Sequence, residues 1–542
     1  MKKLTYAIIL CSGLAFGQFF EKNKTFTKQD SLKGSDTQFR NFWDVKRYDL
    51  SVEPDFKSKS ISGHNLITFT LTKDVIDPVF QIDLQQPMKA DKVECSFPLK
   101  GDFKRDGDFI FISAKKSFKK GEKHTIDVTY SGNPVIAKRA PWDGGWVFTK
   151  DEKGNPWMSV ADEGIGASVW LPTKDIWSDE PDEGITMKIS TPQDLVGVGN
   201  GRLTEKKTEN GKNTFTWEIK NPINAYSIIP NIGKYVNFKD SYMGEKGKLD
   251  LDYWVIDYNL DKAKKQFQQV QPMMKAFEYW FGPYPFYEDS YKLVESPYLG
   301  MEHQSNVAYG NGYENGYMGQ DYSGTGVGLN WDYIIIHESG HEWFANNITA
   351  KDQADMWVHE GFTMYSEVLF TEHFMDKKSA DIYAQGIQNG IQNDIPIIGK
   401  YGVRNEGSGD MYPKGASLLH TIRQVINNDE KFRQILRGLN KDFYHQTVTT
   451  QQVEKYISEK AGIDFSTVFD QYLRTVKVPV LEYSQKGNEL KFKYSNTVQN
   501  LKLPVRIGDQ TINPTAEWQT LKLKSSVPVE FNRNYYIMFK KV

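Results

Sequence analysis

The chain has 542 residues, which is long enough for two to four domains that each bury a core. Its 67 Lys and Arg residues nearly balance its 69 Asp and Glu residues, giving a formal net charge of −2 at pH 7. This balance gives no support to a nucleic-acid-binding protein or to attraction by an anionic membrane surface. We predict no membrane-spanning segment and no obligate protein partner.

The N-terminus has the pattern of an export signal. Lys2 and Lys3 form a short basic region, residues 7–16 are mostly apolar, and Ala15-Phe16-Gly17 matches a small-x-small cleavage site. The sequence therefore predicts a signal peptide over residues 1–17 and an exported mature protein, either periplasmic or secreted.

Residues 18–244 have the period-two pattern of β-strands. Apolar and polar residues alternate in short runs rich in β-branched and aromatic side chains, separated by turns of Gly, Asn, Asp and Lys. Residues 66–71, 124–130 and 214–219 are three such runs. We predict an N-terminal domain of antiparallel strands, arranged as a sheet or a sandwich.

The pattern changes near residue 245, and helical periodicity dominates through residue 475. Helices are predicted over residues 261–280, 331–345, 357–367, 414–425 and 451–461. The Gly- and Tyr-rich stretch from Gly310 to Gly328 is predicted to be a mobile loop. Residues 476–542 return to short strands, typical of a small C-terminal β-sandwich. We therefore expect an α+β protein of several domains.

One pentapeptide in the helix predicted over residues 331–345 has the spacing of a metal site. In His337-Glu338-Ser339-Gly340-His341 the two histidines are four residues apart, so they share one face of a helix. Two imidazoles at this spacing can hold one zinc ion, and Glu338 lies where it can take a proton from a zinc-bound water. The pentapeptide alone leaves open an ordinary pair of surface or core histidines.

Glu360 is the predicted third ligand, with eighteen residues between it and His341. Two histidines and one glutamate leave the fourth tetrahedral position to water, which is the catalytic rather than the structural pattern of zinc binding. A structural site usually adds Cys, and Cys95 is the single cysteine of the expected mature chain. We therefore predict one catalytic Zn²⁺ per chain.

Three motifs in a fixed order resemble one enzyme family. They are the H-E-x-x-H run with its later glutamate, Gly300-Met301-Glu302 upstream, and Tyr412-Pro413-Lys414-Gly415-Ala416 downstream. This order is similar to that of the zinc aminopeptidases of the aminopeptidase N and leukotriene hydrolase family, over the whole mature chain. The resemblance implies an N-terminal β domain (18–244), a thermolysin-like, mostly helical catalytic domain (245–475) and a small C-terminal β-sandwich (476–542). It also implies an open cleft, because the helical C-terminal domain of many members has no counterpart here.

The resemblance assigns the catalytic roles. His337, His341 and Glu360 are expected to bind zinc, and Glu338 is expected to act as the general base. Tyr412 matches the tyrosine that donates a hydrogen bond to the tetrahedral oxyanion, a charge that develops only in the transition state.

The resemblance also assigns the substrate contacts. Glu302, with Gly300 and Met301 beside it, corresponds to the glutamate that binds the free α-amino group of the substrate. Glu163 falls where the family places a second contact to that amine. His303 replaces the asparagine that follows this glutamate in the family, which is a departure from the motif.

The predicted function is an exported zinc aminopeptidase, in which zinc-activated water and Glu338 hydrolyse the N-terminal bond of peptides with a free N-terminus. A thermolysin-type endopeptidase would share the zinc ligands but would not need Glu302. A peptide-binding scaffold would need neither the base nor Tyr412. His359 and Glu367, which flank the third ligand, are candidates to orient the zinc ligands.

Overall fold

The structure is a computed structural model that describes residues 25–542. The predicted signal peptide over residues 1–17 lies outside the described residues. Within residues 25–542, every helix is too short or too polar to cross a membrane.

Strands dominate the first part of the described chain, as predicted. Its elements are α1 (Lys28–Gly34), β1 (Trp43–Asp55), β2 (Ser60–Leu71), β3 (Val75–Ile76), β4 (Val79–Asp83), β5 (Lys89–Cys95), β6 (Lys104–Asp106), β7 (Phe109–Ser113), β8 (Ser117–Phe118), β9 (Lys123–Gly132), β10 (Gly145–Lys150), β11 (Pro156–Ala161), β12 (Ile185–Pro192), β13 (Val196–Val198), β14 (Arg202–Glu209), β15 (Lys212–Ile219) and β16 (Asn231–Gly233). The three runs predicted as strands lie within β2, β9 and β15, where alternate side chains such as Ile67 and Phe69 are buried.

Seven of these strands form one sheet in the order β14-β15-β12-β1-β2-β9-β5, and β10-β11-β16-β13 form a second sheet. Strands β1 and β12 are parallel, so the prediction of a purely antiparallel domain is wrong at this pair. A parallel pair needs a long crossover, and the chain between β1 and β12 is long enough to supply one.

The middle of the chain carries most of the helices. Its elements are β17 (Tyr235–Gly244), β18 (Gly247–Ile256), α2 (Leu260–Gln266), α3 (Val270–Phe281), β19 (Tyr291–Glu295), β20 (Gly300–Met301), β21 (Val307–Tyr309), α4 (Tyr333–Gly340), β22 (Ile348–Ala350), α5 (Trp357–Phe374), α6 (Lys377–Ile387), α7 (Pro413–Ile426), α8 (Asp429–Asp442), β23 (Gln446–Val448), α9 (Thr450–Ala461) and α10 (Ser466–Leu473). Short 3₁₀ turns lie at Ala167–Val169, Ala225–Ser227, Asp257–Asn259, Phe267–Gln269, Val327–Asn330, Gln353–Asp355, Gln388–Gly390 and Gly409–Met411.

A five-stranded sheet, β17-β18-β19-β21-β20, packs beside these helices and carries β20 at its edge. The expected division between residues 244 and 245 falls in the turn of the β17–β18 hairpin, so both strands belong to this sheet. Helices α2 to α10 form a layer, which we call the helical layer. Helix α5 packs against α3, α4, α6 and α7 and so lies at its centre.

The helix predicted over residues 331–345 is shorter than expected, because α4 ends at Gly340. Residues Glu342–Asn346 form a wide π-type turn in which Phe344 and Ala345 have non-helical backbone angles. This break turns the Phe344 carbonyl toward the end of α4, where the site lies.

The C-terminal strands are β24 (Val480–Lys486), β25 (Glu489–Ser495), β26 (Val505–Ile507), β27 (Gln510–Ile512), β28 (Gln519–Lys522) and β29 (Met538–Lys541). They form a four-stranded sheet, β28-β25-β24-β29, and a separate β26–β27 hairpin. Leu481 and Leu490 of this sheet share one apolar core with Tyr472 and Leu473 of α10, so the C-terminal strands pack directly onto the helical layer.

Candidate active site

His337 on α4 and His341 just after it face Glu360 on α5. Glu360 Oε2 lies 3.6 Å from His337 Nε2 and 3.3 Å from His341 Nε2. All three side chains are buried, and one donor atom from each lies within 4.8 Å of the others. The structure therefore brings the three predicted zinc ligands together.

These donors fit a divalent cation. Glu360 Oε2 is buried and makes no hydrogen bond within the described chain, although two imidazole nitrogens converge on it. Burial alone would raise the pKa of Glu360, but His341 and His337 outweigh burial and hold that pKa below its usual range. A cation bound between these three side chains would stabilise the buried Glu360 carboxylate. Two imidazoles with one carboxylate are a donor set that zinc prefers.

Close approaches at glycine bring the three helices of the site together. A Cβ atom on Gly340 of α4 would stand 2.5 Å from Ser366 Oγ on α5. A Cβ atom on Gly415 of α7 would stand 2.8 Å from the Cα atom of Gly361 on α5. Because neither glycine has a side chain, α4 and α7 can both lie against α5, which carries the third ligand.

Both histidines are oriented by hydrogen bonds that Nδ1 donates. The Nδ1 atom of His337 lies 2.6 Å from Glu367 Oε1, and the Tyr383 hydroxyl donates to Glu367 Oε2 over 2.5 Å. The Nδ1 atom of His341 lies 3.1 Å from the Phe344 carbonyl, which the π-type turn directs toward it. Each bond fixes the ring so that Nε2 points at Glu360.

Of the two residues predicted to orient zinc ligands, Glu367 contacts a predicted ligand, His337, whereas His359 makes its contacts elsewhere. His359 Nε2 accepts the Ala350 amide over 2.8 Å, and its ring stacks on Trp177 at a centroid distance of 5.0 Å. Adjacent helical residues point about 100° apart, so His359 faces away from the site. Glu367 lies two turns after Glu360 and shares its face.

We expect Glu367→Gln to weaken zinc binding by about 10- to 100-fold, because the charged acceptor that orients His337 is lost. Competition with a chromophoric chelator measures this affinity directly. His359→Gln is the matched control on the same helix, and its zinc affinity should equal that of the wild type. Equal losses in the two variants would contradict the assigned orientation.

Glu338 and Glu302 place two further carboxylates at the ligands. One oxygen from each and a nitrogen of His341 all lie within 4.8 Å of one another. Burial raises the pKa of Glu338 to about 7, which suits a group that takes and returns a proton near neutral pH. Gly300 lets the edge of β20 lie against this base, since a Cβ atom there would stand 2.7 Å from Glu338 Oε1.

Glu163, which follows β11 in the N-terminal domain, reaches the same cleft as Glu302. Burial, and then the charges of Glu302 and Glu360, raise the pKa of Glu163 well above its usual range. Oε1 of Glu163 and Oε1 of Glu302 are both buried and lack hydrogen-bond partners in the described part of the chain. Two such carboxylates form a place where an ammonium group is strongly favoured.

His303, which departs from the family motif, adds no positive charge beside Glu302. It is fully buried, and burial lowers the pKa of its imidazole to about 3, so the ring is neutral. Met301 lies with Glu302 along the wall of the cleft.

Tyr412 stands at the start of α7 and lines the cleft. Its ring lies over that of His337, with centroids 6.1 Å apart and planes inclined by 22°. Burial, reinforced by Glu360, raises the pKa of Tyr412 well above its usual range. The hydroxyl therefore keeps its proton at neutral pH and is able to donate it in a hydrogen bond.

The cleft also has walls that the sequence motifs did not identify. They include Pro141, Trp142, Tyr317, Met356, Glu406 and Met411. Tyr317 comes from the predicted mobile loop, which is held in place where Asn311 Nδ2 donates to the Gly316 carbonyl and to Asp332 Oδ1 over 2.8 and 2.9 Å. The repeated Tyr residues of this loop were the sequence feature that could have predicted its packing. One of them, Tyr317, packs edge-on against Tyr333.

Tyr226 of the N-terminal domain was also missed. It is fully buried and packs against Trp177, with ring centroids 5.3 Å apart and planes inclined by 33°. Burial, and then the charge of Glu302, raise the pKa of Tyr226 well above its usual range, so a neutral phenol faces the predicted amine anchor. No spacing in the sequence connects Tyr226 with residues of the helical layer.

Comparisons with known proteins agree with this geometry. Residues 258–472 match the peptidase family M1 domain. The chain is 19% identical to "Probable aminopeptidase 2" of Sulfurisphaera tokodaii, with 82% of this chain and 55% of that protein aligned. It is 21% identical to "Leukotriene A-4 hydrolase" of Xenopus laevis, with 77% and 68% aligned. The chain thus spans about half the length of the first of these relatives.

Among solved structures, the M1 zinc metallopeptidase from Deinococcus radiodurans has a TM-score of 0.69 at 19% identity, covering 82% of this chain and 96% of that chain. The fold of this chain is therefore similar to that of this zinc metallopeptidase. Residues 258–472 are thus similar to the peptidase family M1 domain, and the His337, His341 and Glu360 donors suit the zinc for which the Deinococcus radiodurans enzyme is named.

Proposed function

We propose that this protein is a zinc-dependent aminopeptidase that removes the first residue from peptides with a free N-terminus. The observation that carries the proposal is a pair of carboxylates, Glu302 and Glu163, whose Oε1 atoms are buried in the cleft that holds the three metal donors. An endopeptidase has to pass a neutral backbone through this position, where an unpaired carboxylate would be costly. A terminal ammonium group would instead pair with it.

The residues of the chain supply the remaining chemistry. A zinc ion held by His337, His341 and Glu360 would act as a Lewis acid on the scissile carbonyl. Glu338 takes a proton from the attacking water and returns it to the leaving amine. Tyr412 donates a hydrogen bond to the oxygen that becomes negative in the transition state.

The test compares one short peptide with a free N-terminus and the same peptide N-acetylated, each with the zinc-loaded protein and with a chelated control. We expect zinc-dependent release of the first residue from the free peptide only. Internal cleavage of both peptides would favour an endopeptidase. Cleavage of neither peptide by zinc-loaded protein would favour a peptide-binding scaffold.

Glu302→Gln should lower kcat/KM for the free peptide by about 10- to 100-fold, because a neutral amide replaces the charged partner of the ammonium group. Steady-state kinetics on the free peptide measures this loss, and zinc content by metal analysis serves as the control. An unchanged kcat/KM would remove Glu302 from amine recognition.

We further propose that the helical layer is thermolysin-like and that the two C-terminal sheets form a small β-sandwich. Support comes from α4 and α5, which carry the ligands side by side, and from the separate β26–β27 hairpin. We also propose that the protein is exported through a signal peptide at residues 1–17, so that Gln18 is the first residue of the mature chain. Intact-protein mass spectrometry of the protein purified from its native cells tests this cleavage site, because the mass should equal that of a chain that begins at Gln18.

A further inference from the structure

Glu163 belongs to the N-terminal domain, but residues of the helical layer hold it. Its backbone carbonyl accepts hydrogen bonds from Gln353 Nε2 over 3.1 Å and from Arg404 Nη2 over 3.3 Å. Gln353 precedes α5, which carries Glu360, and Arg404 lies in the loop that leads to Tyr412. The position of Glu163 is therefore tied to the elements that carry the catalytic groups.

The other terminal nitrogen of Arg404, Nη1, contacts Asp175, at the end of the segment that begins at Glu163. Nη1 of Arg404 lies 3.2 Å from Asp175 Oδ2, and the two side chains are only 7% and 2% exposed. The same oxygen accepts the Ser168 hydroxyl over 2.6 Å. Burial would raise the pKa of Asp175, but Arg404, Ser168 and Lys33 together outweigh burial and keep that pKa below its usual range. Arg404 and Asp175 therefore form a buried ion pair.

The segment closes tightly over this guanidinium group. Gly166 has φ 96°, and a Cβ atom there would stand 2.3 Å from Asp175 Oδ2 and 2.5 Å from Arg404 Nη1. No residue with a side chain would fit without displacing the pair. The planar guanidinium group of Arg404 thus contacts both ends of the segment from Glu163 to Asp175. The single ammonium group of lysine cannot make both contacts in this geometry.

We propose that Arg404 is a positioning residue for substrate recognition: it fixes the segment from Glu163 to Asp175 against the helical layer and so places the Glu163 carboxylate for the substrate amine. The proposal rests on the proposed aminopeptidase function. Arg404 is not among the residues that line the cleft, and it contacts Glu163 through the backbone. Its loss should therefore impair recognition of the free amine more than the hydrolytic step.

The test is steady-state kinetics of Arg404→Ala and Arg404→Lys on the free peptide. We expect KM to rise about 10-fold for the alanine variant and about 5-fold for the lysine variant, with kcat within about twofold of the wild type. A residue needed only for folding would lower the active fraction, which reduces kcat and leaves KM unchanged. If Arg404→Ala does not fold, Arg404→Lys alone decides.

A double-mutant cycle with Glu163→Gln separates positioning from a general effect. If Arg404 acts through Glu163, Arg404→Lys should change KM by less than about twofold once Glu163 has become Gln. Equal rises in both backgrounds would overturn the proposal, as would a Glu163→Gln variant with unchanged KM. Arg423→Lys is the control, because Arg423 is a buried arginine paired with Glu372 over 2.7 Å and lies outside the cleft lining.

The two proposals fail in distinguishable ways. A wild-type protein that shows no zinc-dependent hydrolysis of the free peptide refutes the aminopeptidase function. An active wild type with additive effects of Arg404 and Glu163 leaves that function intact and removes only the positioning role.

Discussion

Glu338→Gln should lower kcat by about 10²- to 10⁴-fold while the protein still binds one zinc ion. The glutamine has nearly the same shape, so it fits between Gly300 and the metal ligands, but it cannot take a proton from water. The substitution removes a carboxyl group whose pKa burial raises to about 7. Turnover of the free peptide together with zinc content per chain measures both parts of this expectation.

Glu342→Gln is the matched control for this substitution. Glu342 is buried one turn after Glu338, and its Oε1 accepts the Ser305 amide over 2.8 Å. Burial raises the pKa of Glu342 to about 8, so it is largely protonated at neutral pH and glutamine is a close mimic. It lies outside the cleft lining, and activity should stay near the wild-type level. A zinc-loaded Glu338→Gln variant with wild-type turnover would exclude Glu338 as the base.

The metal donors could be predicted because their geometry is local. His337 and His341 are one helical turn apart, so their spacing in the sequence already places them on one face. Glu360 lies on the next long helix, α5, and the expectation of a catalytic site was based on the types of the three donors. The same locality explains why Glu367, on the face of Glu360, could be proposed, and why adjacency alone misled for His359.

Other features depend on contacts between distant parts of the chain. The parallel pairing of β1 with β12 and the approach of Tyr226 to Glu302 leave no periodic trace in the sequence. Arg404 contacts Glu163 across 241 residues, through a backbone carbonyl that any residue type would offer. The break after α4 was also hidden, because Phe344 and Ala345 continue the apolar pattern of a helix while the tertiary structure turns the Phe344 carbonyl toward His341.

Tyr412→Phe should reduce kcat by about 10²- to 10³-fold, with a much smaller change in KM. The lost hydroxyl is expected to act on charge that forms only as water attacks, so ground-state binding of the peptide barely depends on it. The ring that packs over His337 is retained, and zinc affinity should therefore stay unchanged. Measured kcat, KM and zinc content together test this assignment.

Tyr365→Phe removes a more deeply buried hydroxyl outside the cleft, where Tyr365 pairs with His420 Nδ1 over 3.1 Å. It should lower stability without a selective loss of kcat, because it contacts no substrate. If Tyr412→Phe instead raised KM and spared kcat, Tyr412 would be a substrate-binding group. The oxyanion would then depend on the metal alone, and the resemblance of the Tyr412 motif would describe the fold of α7 rather than its chemistry.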